Sequence, residues 1–162
     1  MADAVALQQK LFDEIRGRIK QDDVTVPVPY RGSFYYTRHV EGGEYPIHCR
    51  KLGSLDAAEE VLLDVNSLAE GSEYFAVRGL EVSTDQNLLA FAEDRVGRRL
   101  YSLRFKDLAT GEFLPDVIPR VTGNLAWAND NRTVFYTKQD PETLRWYRIY
   151  KHVLGTDSAG DE

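Results

Sequence analysis

Cysteine is almost missing from this chain. Cys49 is the single thiol among 162 residues, so no internal disulfide can form, and a reducing compartment, the cytoplasm, is expected. Long apolar runs are missing as well: no stretch approaches the roughly 20 residues a membrane-spanning helix needs. The first twenty residues lack the basic start and apolar run of a secretory signal. There is no surplus of positive charge. With 20 Lys and Arg against 26 Asp and Glu, the formal net charge is -6 and the pI near 5.1, which excludes nucleic acid and anionic membrane surfaces as partners unless basic residues are segregated. They are scattered, and the densest basic stretch, Arg95 to Lys106, alternates with apolar residues as the solvent face of strands does.

What is present is a globular composition, 43% hydrophobic and 11% aromatic, in a chain long enough for a sizeable core. Leu7, Leu11, Ile15 and Ile19 recur every four residues with Phe12 beside them, which predicts an amphipathic helix over about residues 3 to 20 whose stripe must be buried against something. The helical pattern begins almost at Met1, as it would where a chain has been cut. Pro27-Val28-Pro29 ends that period, since proline cannot continue a helix and drives its predecessor extended.

Strand periods follow. Ser33 to Arg38 and Tyr45 to Arg50 read as a hairpin around Glu41-Gly42-Gly43-Glu44, the two glycines supplying positive φ. Leu88 to Ala92 and Leu100 to Phe105 form a second, across Asp94 to Arg98, with Tyr101, Leu103 and Phe105 on one face and Ser102, Arg104 and Lys106 on the other. Thr133 to Thr137 and Trp146 to Tyr150 form a third, across Asp140-Pro141-Glu142.

These units repeat. Leu80 and Leu125, Asp85 and Asp130, and Phe91 and Tyr136 are each 45 positions apart; Tyr101 and Tyr147, and Leu108 and Leu154, are 46 apart. The first hairpin joins at longer offsets, 55 from Tyr36 to Phe91 and 56 from Tyr45 to Tyr101, which an insertion around Leu55 to Gly79 accounts for. A repeat of about 40 to 50 residues with short strands marks a propeller blade, which buries its faces only against its neighbours. The expected fold is therefore mainly β: a partial β-propeller of about three blades, at about 27–78, 79–122 and 123–162, after an N-terminal amphipathic α-helix within 1–22. An open stack leaves unpaired edges and an apolar face, which invites self-association.

Chemistry-bearing groups are few. His48 and Cys49 are strand neighbours pointing to opposite faces; His39 across the turn could approach one of them, but no third ligand stands at a sensible spacing, so no metal is expected. Thr156-Asp157-Ser158-Ala159-Gly160 is one glycine short of the nucleophile elbow G-x-S-x-G and has no helix after it, so Ser158 is read as a decoy. No glycine-rich phosphate loop precedes a helix, and no cofactor is expected. Asp85 and Asp130 are read as turn caps, Trp127 and Trp146 as packing between blades, and the pairs Asp22-Asp23, Glu59-Glu60 and Asp161-Glu162 as solvated.

Several segments resemble the propeller of the oligopeptidase B (protease II) group of the prolyl oligopeptidase family: Tyr30-Arg31-Gly32-Ser33-Phe34-Tyr35-Tyr36, Gly43-Glu44-Tyr45-Pro46-Ile47-His48-Cys49-Arg50, Glu60-Val61-Leu62-Leu63-Asp64-Val65-Asn66, Leu88-Leu89-Ala90-Phe91, Tyr101-Ser102-Leu103-Arg104-Phe105-Lys106-Asp107-Leu108 and Gly123-Asn124-Leu125-Ala126-Trp127. The resemblance covers nearly the whole chain. It implies a seven-bladed propeller that covers a C-terminal α/β-hydrolase domain in a serine peptidase cutting short peptides after Arg or Lys. It further implies that the N-terminal helix packs near the hydrolase domain. The family's catalytic Ser, Asp and His lie in that domain and match no position here, so no catalytic, cofactor-binding or metal residue is carried over and the chain alone is expected to be inactive. The alternative is a stand-alone β-repeat interaction module that closes by oligomerising, since about three blades cannot close a ring.

Overall fold

The computed structural model describes residues 2–140 and 142–162; Met1, and Pro141 of the third turn, lie outside the described residues. Contact between residues divides the chain into two units, Met1–Leu68 and Ala69–Glu162.

In the first unit, helix α1 (Ala2–Arg18) stops two residues before the expected end, at the step where Ile19 N donates to Arg16 O (3.1 Å). Its stripe is not covered: Leu7, Leu11, Phe12, Ile15 and Ile19 are all exposed, about half or more of each. A four-stranded antiparallel meander follows, made of β1 (Val28–Tyr30), β2 (Ser33–Arg38), β3 (Ile47–Leu52) and β4 (Glu59–Asp64) in that order. Pro29 stands on β1, at the sheet edge, where its missing N–H costs no ladder bond. The β2–β3 register, from Ser33 opposite Leu52 to Arg38 opposite Ile47, leaves a longer loop than the hairpin pattern predicts. Of the two glycines there, only Gly42 has positive φ (79°). Gly43 is needed for room instead: a Cβ on it would stand 3.0 Å from Val40 Cγ2 and 3.1 Å from Asn66 Oδ1. The stretch read as an insertion holds β4 and a short helix, α2 (Val65–Ala69).

The second unit is a six-stranded sheet, in order β10-β9-β8-β7-β6-β5, of β5 (Ala76–Val82), β6 (Leu88–Asp94), β7 (Tyr101–Asp107), β8 (Phe113–Trp127), β9 (Thr133–Gln139) and β10 (Trp146–Val153). Strand β8, 15 residues long, belongs to two meanders. Its first part pairs with β7, Ile118 opposite Leu103, and its last part with β9, Leu125 opposite Tyr136. Between them Arg120 takes a left-handed conformation (φ 58°). The outer strand of one meander thus runs directly into the inner strand of the next, and the sheet folds so that one meander packs on the other. Ala90, Ala92, Tyr101, Leu103, Phe105, Ile118, Val121, Val134 and Tyr136 form the resulting core, each no more than 5% exposed, with Leu125, Trp127, Tyr150 and Leu154 against it. The expected faces of β7 hold: Tyr101, Leu103 and Phe105 are buried, while Ser102, Arg104 and Lys106 are half-buried opposite them.

The repeat is one of backbone geometry as well as of residue type. Arg31, Gln86 and Asn131 each adopt positive φ (48°, 64° and 57°) at equivalent turn positions. Gly53, Leu108 and Leu154 N–H donate to Gly32, Asn87 and Arg132 O respectively, each at 2.9 Å. The capping roles of Asp85 and Asp130 are as expected: Asp85 Oδ1 accepts from Asn87 N (3.2 Å), and Asp130 Oδ1 from Arg132 N (3.0 Å) and Thr133 N (2.8 Å). Among the bonds that tie one repeat to the next are Trp127 Nε1 to Glu81 O and Asp85 N to Asn131 Oδ1, both 2.9 Å.

The inner strands β5 and β8 meet where both carry glycine. A Cβ on Gly79, whose φ is +58°, would stand 2.3 Å from Gly123 O, and one on Gly123 would stand 2.7 Å from Arg78 Cβ. Gly79→Ala is expected to destabilise the chain by about 2 to 4 kcal/mol, from the steric overlap together with the left-handed backbone. Urea unfolding followed by far-UV circular dichroism measures it, with Gly111→Ala, which has positive φ but no near neighbour, as the comparison that isolates the overlap.

Candidate functional site

The residues singled out from sequence are not brought together. Cys49 and His48 do lie on opposite faces of β3, Cys49 fully buried and His48 half-buried. Around Cys49, Tyr36 Oη donates to Glu59 Oε2 (2.7 Å) and Arg38 Nε to Glu59 Oε1 (3.0 Å). Burial, with the nearby Glu59 carboxylate, pushes the Cys49 thiol up to about 11. Burial and then the bond to Glu59 raise the Tyr36 phenol, and the bonds from Arg38 and Tyr36 hold the Glu59 carboxyl below the usual carboxylate range. A thiol so placed is inert as a nucleophile. Among the described residues no group of three or more His, Cys, Asp and Glu could hold a metal.

Of the pairs read as solvated, Asp22 and Asp23 are exposed as expected, whereas Glu59, Glu60 and the Asp161 side chain are engaged by other groups. Glu59 and Glu60 lie on β4, Glu59 bonded as above and Glu60 Oε2 accepting from Arg50 Nε (2.8 Å). Asp161 is buried. Its side chain is 3% exposed and joins a constellation that sequence spacing did not reveal: His152 Nδ1 lies 2.8 Å from Asp161 Oδ1, and His152 Nε2 3.1 Å from Asp116 Oδ1. Tyr136 Oη donates to the other Asp161 oxygen (2.7 Å), Gly155 N–H donates to Asp116 Oδ1 (2.7 Å), and Phe105 stacks on the imidazole with centroids 6.0 Å apart. Asp116 and His152 stand 36 positions apart, with no periodic signal that would pair them.

A buried His–Asp pair invites comparison with a charge-oriented catalytic base, but the geometry refuses it. Each imidazole nitrogen faces a carboxylate oxygen, so neither is open to a hydroxyl that it could deprotonate. Ser158 opens a single 3-10 turn (Ser158–Gly160) that Asp157 caps by accepting from Ala159 N (2.9 Å). The constellation is a structural clasp that fixes the 155–161 segment to β8, β9 and β10. Of the two tryptophans, Trp127 packs as expected, edge-on to Phe105 with centroids 5.9 Å apart, whereas Trp146 is 65% exposed.

The second unit has concave features, of which one is rich in arginine. A cavity of about 580 Å³ in the second unit has Gly79 and Gly123 in its lining, with Arg78 from β5 and Arg98 and Arg99 from the β6–β7 turn around it. Arg98 sits on the turn expected across Asp94 to Arg98, and Arg99 follows it there, before β7 begins. No acidic residue lines the cavity.

Successive meanders built on one backbone template and joined strand to strand, after an N-terminal helix, make this mainly β chain a partial β-propeller with no nucleophile–base pair among the described residues. The profile of the family "Prolyl oligopeptidase, N-terminal beta-propeller domain" matches residues 1–162. The chain belongs to that family. It is 47% identical over 176 aligned positions to dipeptidyl aminopeptidase BI of Pseudoxanthomonas mexicana, covering 99% of this chain and 24% of that protein. It is 36% identical to protease 2 of Moraxella lacunata, covering 95% and 23%. Oligopeptidase B from Leishmania major superposes with a TM-score of 0.93 at 32% identity, covering 99% of this chain and 23% of that one. The chain thus spans about a quarter of the length of the relatives it matches. No helix among the described residues is long and apolar enough to cross a membrane.

Two outcomes follow from these environments. Iodoacetamide at pH 8 is expected to leave Cys49 largely unmodified in the folded chain, because pH 8 lies well below the raised thiol value, and to alkylate it rapidly in 6 M guanidinium, near the ordinary value of about 8.5; intact-mass spectrometry reads both. His152→Leu removes the imidazole from between two buried carboxylates, leaving only Tyr136 Oη on Asp161 and Gly155 N–H on Asp116, and is expected to cost roughly 3 to 5 kcal/mol, measured as a lowered urea midpoint.

Proposed function

We propose that this chain is the N-terminal portion of the propeller of an oligopeptidase B-like serine peptidase, a non-catalytic cover that admits short peptides, to be cut after Arg or Lys, and excludes folded proteins. The catalytic residues belong to a C-terminal α/β-hydrolase domain, and the exposed stripe of α1 packs near it. The blades run over about 27–78, 79–122 and 123–162, after the helix within 1–22. The protein works in a reducing cytoplasm, where Cys49 stays a thiol.

The observation that carries this reading is a difference between equivalent positions. Tyr101 and Leu103 on β7 are 5% and 0% exposed, buried by the meander that follows; Tyr147 and Ile149, 46 residues on in β10, are 51% and 73% exposed. The same template presents the same apolar face, and a further blade is what would cover it. The coverage of about a quarter of each relative is consistent with blades and a hydrolase domain beyond this chain.

The purified chain is expected to hydrolyse no Arg or Lys ester and to remain unlabelled by a fluorophosphonate probe, while the reading frame that follows carries G-x-S-x-G and then Asp and His. Labelling of this chain alone would overturn the proposal. A stop codon after Glu162 together with a fixed dimer in sedimentation would replace it with the self-closing interaction module.

A further inference from the structure

We infer that the cavity walled by Arg78, Arg98 and Arg99 is a binding site for a peptide carboxylate. The inference deepens the reading above, on which it rests for the ligand being a peptide, but its chemistry comes from the cavity itself.

The local charge runs against that of the chain. Acids outnumber bases overall, 26 to 20, yet the cavity is lined by three arginines and no Asp or Glu. The carboxylates nearest in sequence are already engaged. Glu93, with a side chain 6% exposed, takes Arg95 and Arg104 (3.2 and 3.4 Å). Asp94 is buried and spends both oxygens on backbone amides, accepting from Val96 N (2.9 Å) and Gly97 N (3.0 Å) at Oδ1 and from Arg99 N (2.7 Å) at Oδ2. Among the described residues no hydrogen bond or ion pair engages the guanidinium of Arg78, Arg98 or Arg99.

The backbone that carries those arginines is held in place. The Asp94 clasp fixes the turn that carries Arg98 and Arg99 and stabilises Arg99 in a left-handed conformation (φ 59°) that a non-glycine residue adopts at some cost. Gln139 Nε2 donates to Arg99 O (3.4 Å), tying the turn to the end of β9. Across the cavity, Arg78 lies against Gly123, where only hydrogen fits, so its stem is packed while its head is free. Asn124 adds neutral polar capacity to the lining. Guanidinium groups present paired N–H donors that match a carboxylate. The space, about 580 Å³, suits the end of a peptide and not a folded surface.

The test is a titration of the ¹⁵N-labelled 162-residue chain, read at the Trp146 indole and the arginine Nε resonances. The probes are Ala-Ala-Ala-Ala with a free carboxyl terminus, its C-amidated twin, and amidated Ala-Ala-Asp-Ala, each at low salt. At least one carboxylate-bearing peptide is expected to give saturable shifts at Trp146, Arg98 and Arg99, weakening as salt is raised, with the amidated tetra-alanine giving none. Which of the two binds distinguishes a terminal from a side-chain carboxylate. The double variant Arg98→Gln/Arg99→Gln is expected to weaken binding by about tenfold or more, with a native spectrum since both positions are exposed, while Arg16→Gln on α1 leaves it unchanged. Equal binding by the amidated twin, no saturable shift with either carboxylate, or undiminished affinity in the double variant would overturn the inference. None of these outcomes bears on fluorophosphonate labelling, so this inference and the functional proposal fail separately.

Discussion

The larger sheet depends on a contact in which almost nothing is touching: two glycines, Gly79 and Gly123, where the inner strands of successive meanders pass with no room for a methyl group. That approach sets how closely β5 and β8 run. It fixes which residues of β6, β7 and β9 can interdigitate behind them, and hence the core from Ala90 to Tyr136. The bonds from Trp127 to Glu81 and from Asp85 to Asn131 hold the two strands together further along, on the C-terminal side of the contact. Hydrogen bonding alone would not select this distance; the missing side chains do.

Much of this was legible in the sequence because the repeat is written twice, in residue type and in backbone demand. Asp85 and Asp130 keep register because each must accept from the amides of a tight turn, and Phe91 and Tyr136 because each must fill the centre of a strand. The strands that escaped notice, β4, β5 and β8, lack that double marking. In β8, Pro115 and Pro119 mask the alternation, and the chain changes partners at Arg120, so no single period describes it. In β4, Glu59 and Glu60 look solvated until Arg38, Tyr36 and Arg50 are brought beside them by β2 and β3.

Charge was the least legible property for a related reason. Local alternation reveals which face of a strand a residue takes but not which distant group will meet it. Asp116, His152 and Asp161 are unremarkable where they stand in the chain, yet they form the most buried polar cluster of the second unit. The turn across Asp94 to Arg98 was legible, but not that it would bring Arg98 and Arg99 to the same cavity as Arg78 from β5. In both cases a carboxylate decides the outcome: once it holds a buried imidazole, and once it accepts from the backbone and leaves Arg98 and Arg99 exposed.

Strand β8 has a further consequence for how the two meanders share their stability. Repeat proteins behave approximately as linear arrays, in which each element has an intrinsic stability and a coupling to its neighbour. Here the coupling is a single uninterrupted strand that supplies the outer edge of one element and the inner edge of the next. Unravelling either element removes one of the two ladders that hold β8 straight, and with it the wall on which the other packs. The pair therefore has almost no independent parts: it melts as one cooperative block, and its weakest link is the left-handed step at Arg120 where the strand changes allegiance.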